Sequence, residues 1–178
     1  KDRAECLIIQ MDTPGGLDLS MRDLIKEMMN ADIPIVVYVA PSGARAASAG
    51  AFITMAANIA AMAPGTNIGA ASPVAMGGQM DKTMERKVTN DAAAYMRTIA
   101  EKRGRPIDLA EEWVRKATSK TETEALKAKL IDVVSPNLDD LLQAIDGRMV
   151  TTAAGKVKIE TKNAVIHREE MNLREKVL

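Results

Sequence analysis

Histidine is almost missing from this chain of 178 residues: its one copy, His167, stands in a charged stretch near the end. A Ser-His-Asp arrangement, which needs an imidazole as base, therefore has a single badly placed candidate, and His167 reads as an ordinary solvated side chain. Cysteine is equally scarce. Cys6 is alone, so an internal disulfide, a CxxC motif and a Cys/His zinc site are all excluded, and the redox compartment stays open. Aromatics make up 2% of the residues, too few for base stacking or a sugar-binding platform. Neither sign of charge is in excess, with 24 Lys+Arg against 24 Asp+Glu, so nothing argues for nucleic acid or an anionic surface. No apolar run is long enough to span a membrane, nothing at the start reads as a signal peptide, and the chain as given reads as soluble. Phosphate-cradling motifs of the GxxxxGK[ST] or GxGxxG type are missing too. Neither a metal nor a cofactor is expected.

What is present is apolar and small. Hydrophobic residues are 47% of the chain and charged residues 27%, enough for a globular domain with a sizeable core. The run from Glu5 to Met11 reads as a buried strand stopped by Asp12-Thr13-Pro14-Gly15-Gly16, and its abrupt start suggests that a strand and helix before it are missing. Leu17, Met21, Leu24, Ile25, Met28 and Met29 recur at helical spacing. Ile35–Val39 and Ile59–Ala63 read as strands, with a small-residue helix entered near Ser48 between them. This βαβ rhythm predicts an α/β fold with a mainly parallel sheet and right-handed crossovers.

Residues 73–83 read as a loop flanking a cleft, and helices are expected over 86–102 and 109–116. Thr121 to Glu124 opens a further helix, through Ala128, with capping-box character. Leu130–Val134 is an expected strand and Leu138–Ile145 a helix. Met149–Thr151 and Lys156–Ile159 flank Ala153-Ala154-Gly155 as a hairpin. The expected division is a main domain over 1–146 and a hairpin with a charged tail over 147–178.

A serine at a strand-to-helix junction, wrapped in alanine and glycine, allows close approach by a substrate and sits where a helix N-terminus stabilises developing negative charge. Ser48, in Ala46-Ala47-Ser48-Ala49-Gly50-Ala51, meets both conditions. It fits a helix-capping serine, or a small residue chosen for packing, equally well. Gly15 and Gly16 can present an amide without interference from a Cβ, so the N–H groups of Gly16 and Ala49 are candidate oxyanion donors. A plain Pro-Gly-Gly turn accounts for the same residues. Without histidine the base must be a lysine or a carboxylate, and a lysine serves only where burial or a helix N-terminus lowers its pKa. Lys87, near the start of the expected 86–102 helix, is the candidate, with Lys82 as competitor. A surface lysine paired with Asp91 at i+4 is the plainer reading.

Three stretches together are specific: Asp12-Thr13-Pro14-Gly15-Gly16, Pro41-Ser42-Gly43-Ala44-Arg45-Ala46-Ala47-Ser48-Ala49-Gly50, and Ala61-Met62-Ala63-Pro64-Gly65-Thr66-Asn67-Ile68-Gly69-Ala70. Over residues 4 to 150 the chain resembles the membrane-bound serine proteases of the NfeD class, relatives of Clp protease and signal peptide peptidase A. Lys87-Val88-Thr89-Asn90 looks like the stretch bearing that family's general-base lysine. The resemblance implies a Clp protease/crotonase-like fold and a serine endopeptidase with Ser48 as nucleophile and Lys87 as base. It implies Gly16 and Ala49 as oxyanion donors, and a peptide lying beside Gly15 and Leu17. It further implies apolar peptide substrates, stomatin-like membrane partners, a homodimer or larger homo-oligomer, and a protease domain on the extracytoplasmic face of a membrane-associated protein.

Two other functions compete for these residues. Acyl-CoA chemistry on the crotonase-type fold also uses two backbone N–H groups, but it calls for a carboxylate near the cleft that the sequence does not place. A non-enzymatic assembly module could use the same groove, and the intact Ser48 and Lys87 argue against it.

Overall fold

The computed structural model describes residues 4–74 and 81–169. Strands β1 (Leu7–Met11), β2 (Ile35–Val39), β4 (Ile59–Met62) and β7 (Val133–Val134) form an all-parallel sheet in the order β1-β2-β4-β7. Met11, Val39 and Met62 are in register, so the carboxyl ends of three strands finish in one row. The segments that leave this row carry the candidate residues.

Side-chain alternation sorts β2 onto two cores. Ile35, Val37 and Val39 join one cluster with helices α1 (Asp18–Met29), α2 (Ala49–Ala56), α3 (Lys82–Lys102), α4 (Ile107–Arg115) and α5 (Glu122–Lys127). Val36, Tyr38 and Ala40 face the other way, against α6 (Leu138–Ile145) and Ile159. Every residue of α2 is buried. Such a helix needs small or apolar side chains all round, and AGAFITMA supplies them.

A second, small sheet stands at the carboxyl end of the first. It joins β3 (Arg45–Ala47), β5 (Asn67–Gly69) and β6 (Ser119–Thr121) in the order β3-β5-β6, parallel and then antiparallel. Nothing in the residue pattern hinted at it, because three-residue strands are too short to show alternation. The hairpin β8 (Met149–Thr152) and β9 (Gly155–Lys158) forms as expected. It is tied to the body where Asn58 Nδ2 donates to Thr151 O (2.8 Å) and Ala153 N to Ala31 O (3.0 Å).

Two boundaries differ from expectation for local reasons. Helix α3 starts at Lys82 rather than Arg86, because the Asp81 carboxylate accepts from the N–H groups of Thr83 (2.8 Å) and Met84 (3.0 Å). The strand expected at 130–134 shrinks to β7, because the Leu130 N–H (2.9 Å) closes the end of α5 on Ala125 O. The capping box at Thr121 and Glu124 is complete. The loop expected over 73–83 falls mainly on 75–80, outside the described residues.

Candidate active site

Two loops from the sheet meet and fix each other. Thr13 N–H donates to Arg45 O (2.8 Å) and Thr13 O accepts from Ala47 N–H (3.1 Å), so the segment after β1 runs as a parallel partner of β3. The Thr13 hydroxyl donates to Gly15 O (2.9 Å) and accepts from Gly15 N–H (3.2 Å), which sets the turn through Pro14-Gly15-Gly16. Gly15 has φ +141, a backbone that side-chain-bearing residues rarely adopt, and no side chain fits between it and Ser48.

Ser48 stands between β3 and α2, at the N-cap position of the helix, with φ 54 and ψ −118. A non-glycine residue held there stores backbone strain, a feature that clusters at functional sites. The geometry is held by the Ser48 N–H, which donates to Gly69 O (3.0 Å), and by the Ser48 carbonyl, which accepts from Ala51 N–H (3.0 Å). The Ser48 hydroxyl makes no capping hydrogen bond, so the helix-cap explanation of this serine is removed. The result is a strand-to-helix elbow that presents a hydroxyl at a helix N-terminus. The N–H groups of Gly16 and Ala49 have no acceptor among the described residues. For Ala49 this follows from its place in the first turn of a helix.

Ser48, Ala49, Gly16 and Leu17 line one cavity of about 260 Å³. Met21, Phe52, Ala71, Val74 and Val88 make most of its wall apolar. Gly15 approaches Ser48 closely but is not among the residues that line this cavity. The cavity has one charged end. Arg22 donates to Asp18 (2.8 Å) and to Asp91 (2.5 Å), and its guanidinium lies 4.4 Å from the centre of the Tyr95 ring. Tyr95 in turn stacks on Phe52 with ring centres 6.0 Å apart. Burial works to lower the Arg22 pKa, but its bonds to Asp18 and Asp91 outweigh it and push the value up. Sequence reading missed this cluster. The i,i+4 pair Asp18 and Arg22 was visible in principle, but the link to Asp91 on another helix was not.

Lys87 is exposed and is not on the cavity wall, although Val88 beside it and Asp91 one turn later both are. Two expectations about it fail. Because α3 begins at Lys82, Lys87 lies beyond the first turn and outside the reach of the helix N-terminus, and that argument now applies to Lys82. Asp91, the expected partner of Lys87, is taken by Arg22, and Lys87 has no salt bridge among the described residues. His167 is exposed and outside any helix or strand. Cys6 precedes β1, at the other end of the sheet, where burial and then Glu5 push its thiol pKa up, the opposite of what a nucleophile needs. A wider polar depression of about 480 Å³, lined by Glu5, Asp146, Lys158 and Glu160 among others, carries no serine, threonine or cysteine among its lining residues.

The family model of the NfeD1b N-terminal domain matches residues 1–148. A membrane-bound protease from Pyrococcus horikoshii is 40% identical over 149 residues, which are 83% of this chain and 34% of that protein. Membrane protein NfeD1b of Bacillus subtilis is 41% identical over 71 residues, 40% of this chain and 16% of its own. The chain thus spans about a third of the first relative and a smaller share of the second. Among solved structures, a lysine-to-alanine mutant of the 1510-N membrane-bound stomatin-specific protease, in complex with a substrate peptide, has a TM-score of 0.89 at 33% identity, covering 98% of this chain and 81% of that one. A serine-to-alanine mutant of the same protease gives 0.86 at 33% identity, covering 95% and 84%. The 1510-N membrane protease specific for a stomatin homolog from Pyrococcus horikoshii gives 0.82 at 32% identity, covering 98% and 80%. The βαβ rhythm implied an α/β fold and the resemblance a Clp-protease-like one; the fold is that Clp-protease-like α/β fold, and the chain belongs to the NfeD1b N-terminal domain family.

Proposed function

We propose that this chain is the catalytic domain of a serine endopeptidase in which Ser48 is the nucleophile and Lys87 the general base. The observation that carries the reading is the strained Ser48 elbow beside two unpaired amides, Gly16 and Ala49, at the mouth of an apolar cavity. Neutral Lys87 takes the hydroxyl proton as Ser48 Oγ attacks the peptide carbonyl. The N–H groups of Gly16 and Ala49 hold the developing oxyanion. Protonated Lys87 then gives its proton to the leaving amine, and the Lys87 amine, neutral again, takes a proton from the water that attacks the acyl-serine and returns it to Ser48 Oγ.

The choice of lysine has support outside the local geometry. The solved stomatin-specific protease carries alanine in place of one serine in one structure and of one lysine in another. The interval between those two positions is within two residues of that between Ser48 and Lys87, and seven residues longer than that between Ser48 and Lys82. The mechanism requires Lys87 to approach Ser48 when peptide is bound. The peptide lies extended beside Gly15, Gly16 and Leu17, its backbone paired as an added strand and its apolar side chains in the cavity. The stomatin specificity and membrane attachment of the relatives make a stomatin-like membrane protein the substrate to test first.

Cleavage of an apolar peptide by wild type, Ser48→Ala, Lys87→Ala and Lys82→Ala tests the assignment. Activity is expected to vanish in the first two variants and persist in the third. Undiminished cleavage by Ser48→Ala or Lys87→Ala overturns it.

A further inference from the structure

Asp91 follows Lys87 by one helical turn on α3, the i,i+4 relation in which a carboxylate and an ammonium pair on a helix surface. Such a pair would keep the proton on the lysine. The Asp91 carboxylate is instead bound by Arg22 of α1, which is itself held by Asp18 and lies over Tyr95. The preceding residue is gripped from the other side: Asn90 Oδ1 accepts from Arg115 Nη1 of α4 at 2.8 Å. Residues 82–87 are all exposed, so these two grips on Asn90 and Asp91 fix α3 just after the stretch that carries Lys87.

We propose that Arg22 is a positioning residue of the Ser48–Lys87 site: it takes up the Asp91 carboxylate, so that Lys87 is left without an acidic partner among the described residues and can work as a base. The inference rests on Lys87 being that base. Helix α3 itself brings Lys82, Glu85, Arg86 and Asp91, with Asp81 as its cap. Helix α1 brings Asp18 and Arg22, α4 brings Arg115 paired with Glu111, and α2 brings none. Within the Asp18–Arg22–Asp91 cluster two carboxylates face one guanidinium, a net charge of minus one.

That charge can be stepped. Asp91→Asn brings the cluster to zero, Arg22→Met to minus two, and the double variant leaves it at minus one. Lys87 must be neutral to act, so more negative charge beside it moves the acidic limb of the kcat/KM pH profile upward. The experiment measures that limb for cleavage of one apolar peptide by the wild-type chain and the three variants. The limb is expected lowest in Asp91→Asn, equal in wild type and the double variant, and highest in Arg22→Met, in steps of about 0.3 pH unit. Arg22→Lys is expected to restore the wild-type limb.

A limb unmoved in Arg22→Met, or displaced as far in the double variant as in the single, overturns the proposal. Should Arg22→Met fail to fold, Asp91→Asn alone decides, because an unmoved limb there overturns it too. Lys87→Ala separates the two readings: full activity in that variant ends the dyad itself, whereas an inactive Lys87→Ala with no ordered series ends only the role of Arg22.

Discussion

Gly15 lies so close to Ser48 that a methyl group built on it stands 3.0 Å from the serine Cβ and 3.3 Å from its Oγ. Gly15→Ala is therefore expected to displace the nucleophile and lower kcat/KM at least a hundredfold. Its left-handed backbone adds roughly 1–2 kcal/mol of destabilisation. Gly104→Ala is the matched control. Its φ of +66 is also positive but falls where side-chain-bearing residues are better tolerated than at +141, and a Cβ there meets nothing within 4 Å. Kinetics and thermal melts on both variants check this; equal activity losses would show that strain alone is responsible.

Leu17 is half exposed at the cavity mouth and stabilises no core. Leu17→Asp is expected to leave Tm within a degree or two and to raise KM for an apolar peptide about tenfold, with kcat little changed. Steady-state kinetics on an apolar and a polar peptide test it. An unchanged KM for both would remove Leu17 from the substrate path.

Buried Arg105 donates to the carbonyls of Met55 (3.3 Å), Ala57 (3.3 Å) and Leu130 (3.1 Å) and to Asp132 (2.9 Å), while Arg103 donates to Ala56 O (2.7 Å). Two guanidinium groups thus satisfy the last carbonyls of α2. Arg105→Ala leaves these acceptors and a carboxylate unpaired and is expected to cost about 3–5 kcal/mol in urea unfolding. By contrast Lys116→Ala, which breaks only the exposed pair with Glu112, is expected to fall within about 0.5 kcal/mol of wild type.

The Arg115 hydrogen bond, together with Arg97, holds the Glu111 carboxyl below its ordinary value. A carboxylate whose native pKa is depressed contributes stability above its unfolded pKa, about 4.3. That contribution is lost as pH falls through the native value. Glu111→Gln should therefore be less stable than wild type at pH 7, and the gap should close on acidification below pH 4. Urea midpoints across that range measure it; a gap independent of pH would assign the effect to packing.

The main sheet was legible because its strands are continuous apolar runs ended by glycine or proline signals, as at Ile35–Val39 and Asp12 to Gly16. Helix α2 carried no amphipathic stripe, since it is buried all round, and was found only by its place between two strands. The start of α3 was missed because the Asp81 cap follows a stretch without periodicity. For the site, residue types suggested Ser48, Gly16 and Ala49. What the sequence could not show was the φ of +54, and with it a Ser48 that makes no capping hydrogen bond and lines the cavity instead. Nor could it show Arg22 reaching across to Asp91, because that contact depends on how two helices meet.

The β8–β9 hairpin is fastened at Asn58 and Ala31, which precede β4 and β2, whereas Ser48 and Gly16 lie beyond the strands' other ends. Five strand residues, roughly 17 Å of stiff parallel sheet, separate the two poles. The elbow at Ser48 is braced by the small sheet through Gly69 and Thr13, and α2 runs from that elbow toward Asn58, so one fully buried helix is the direct covalent link between the two poles.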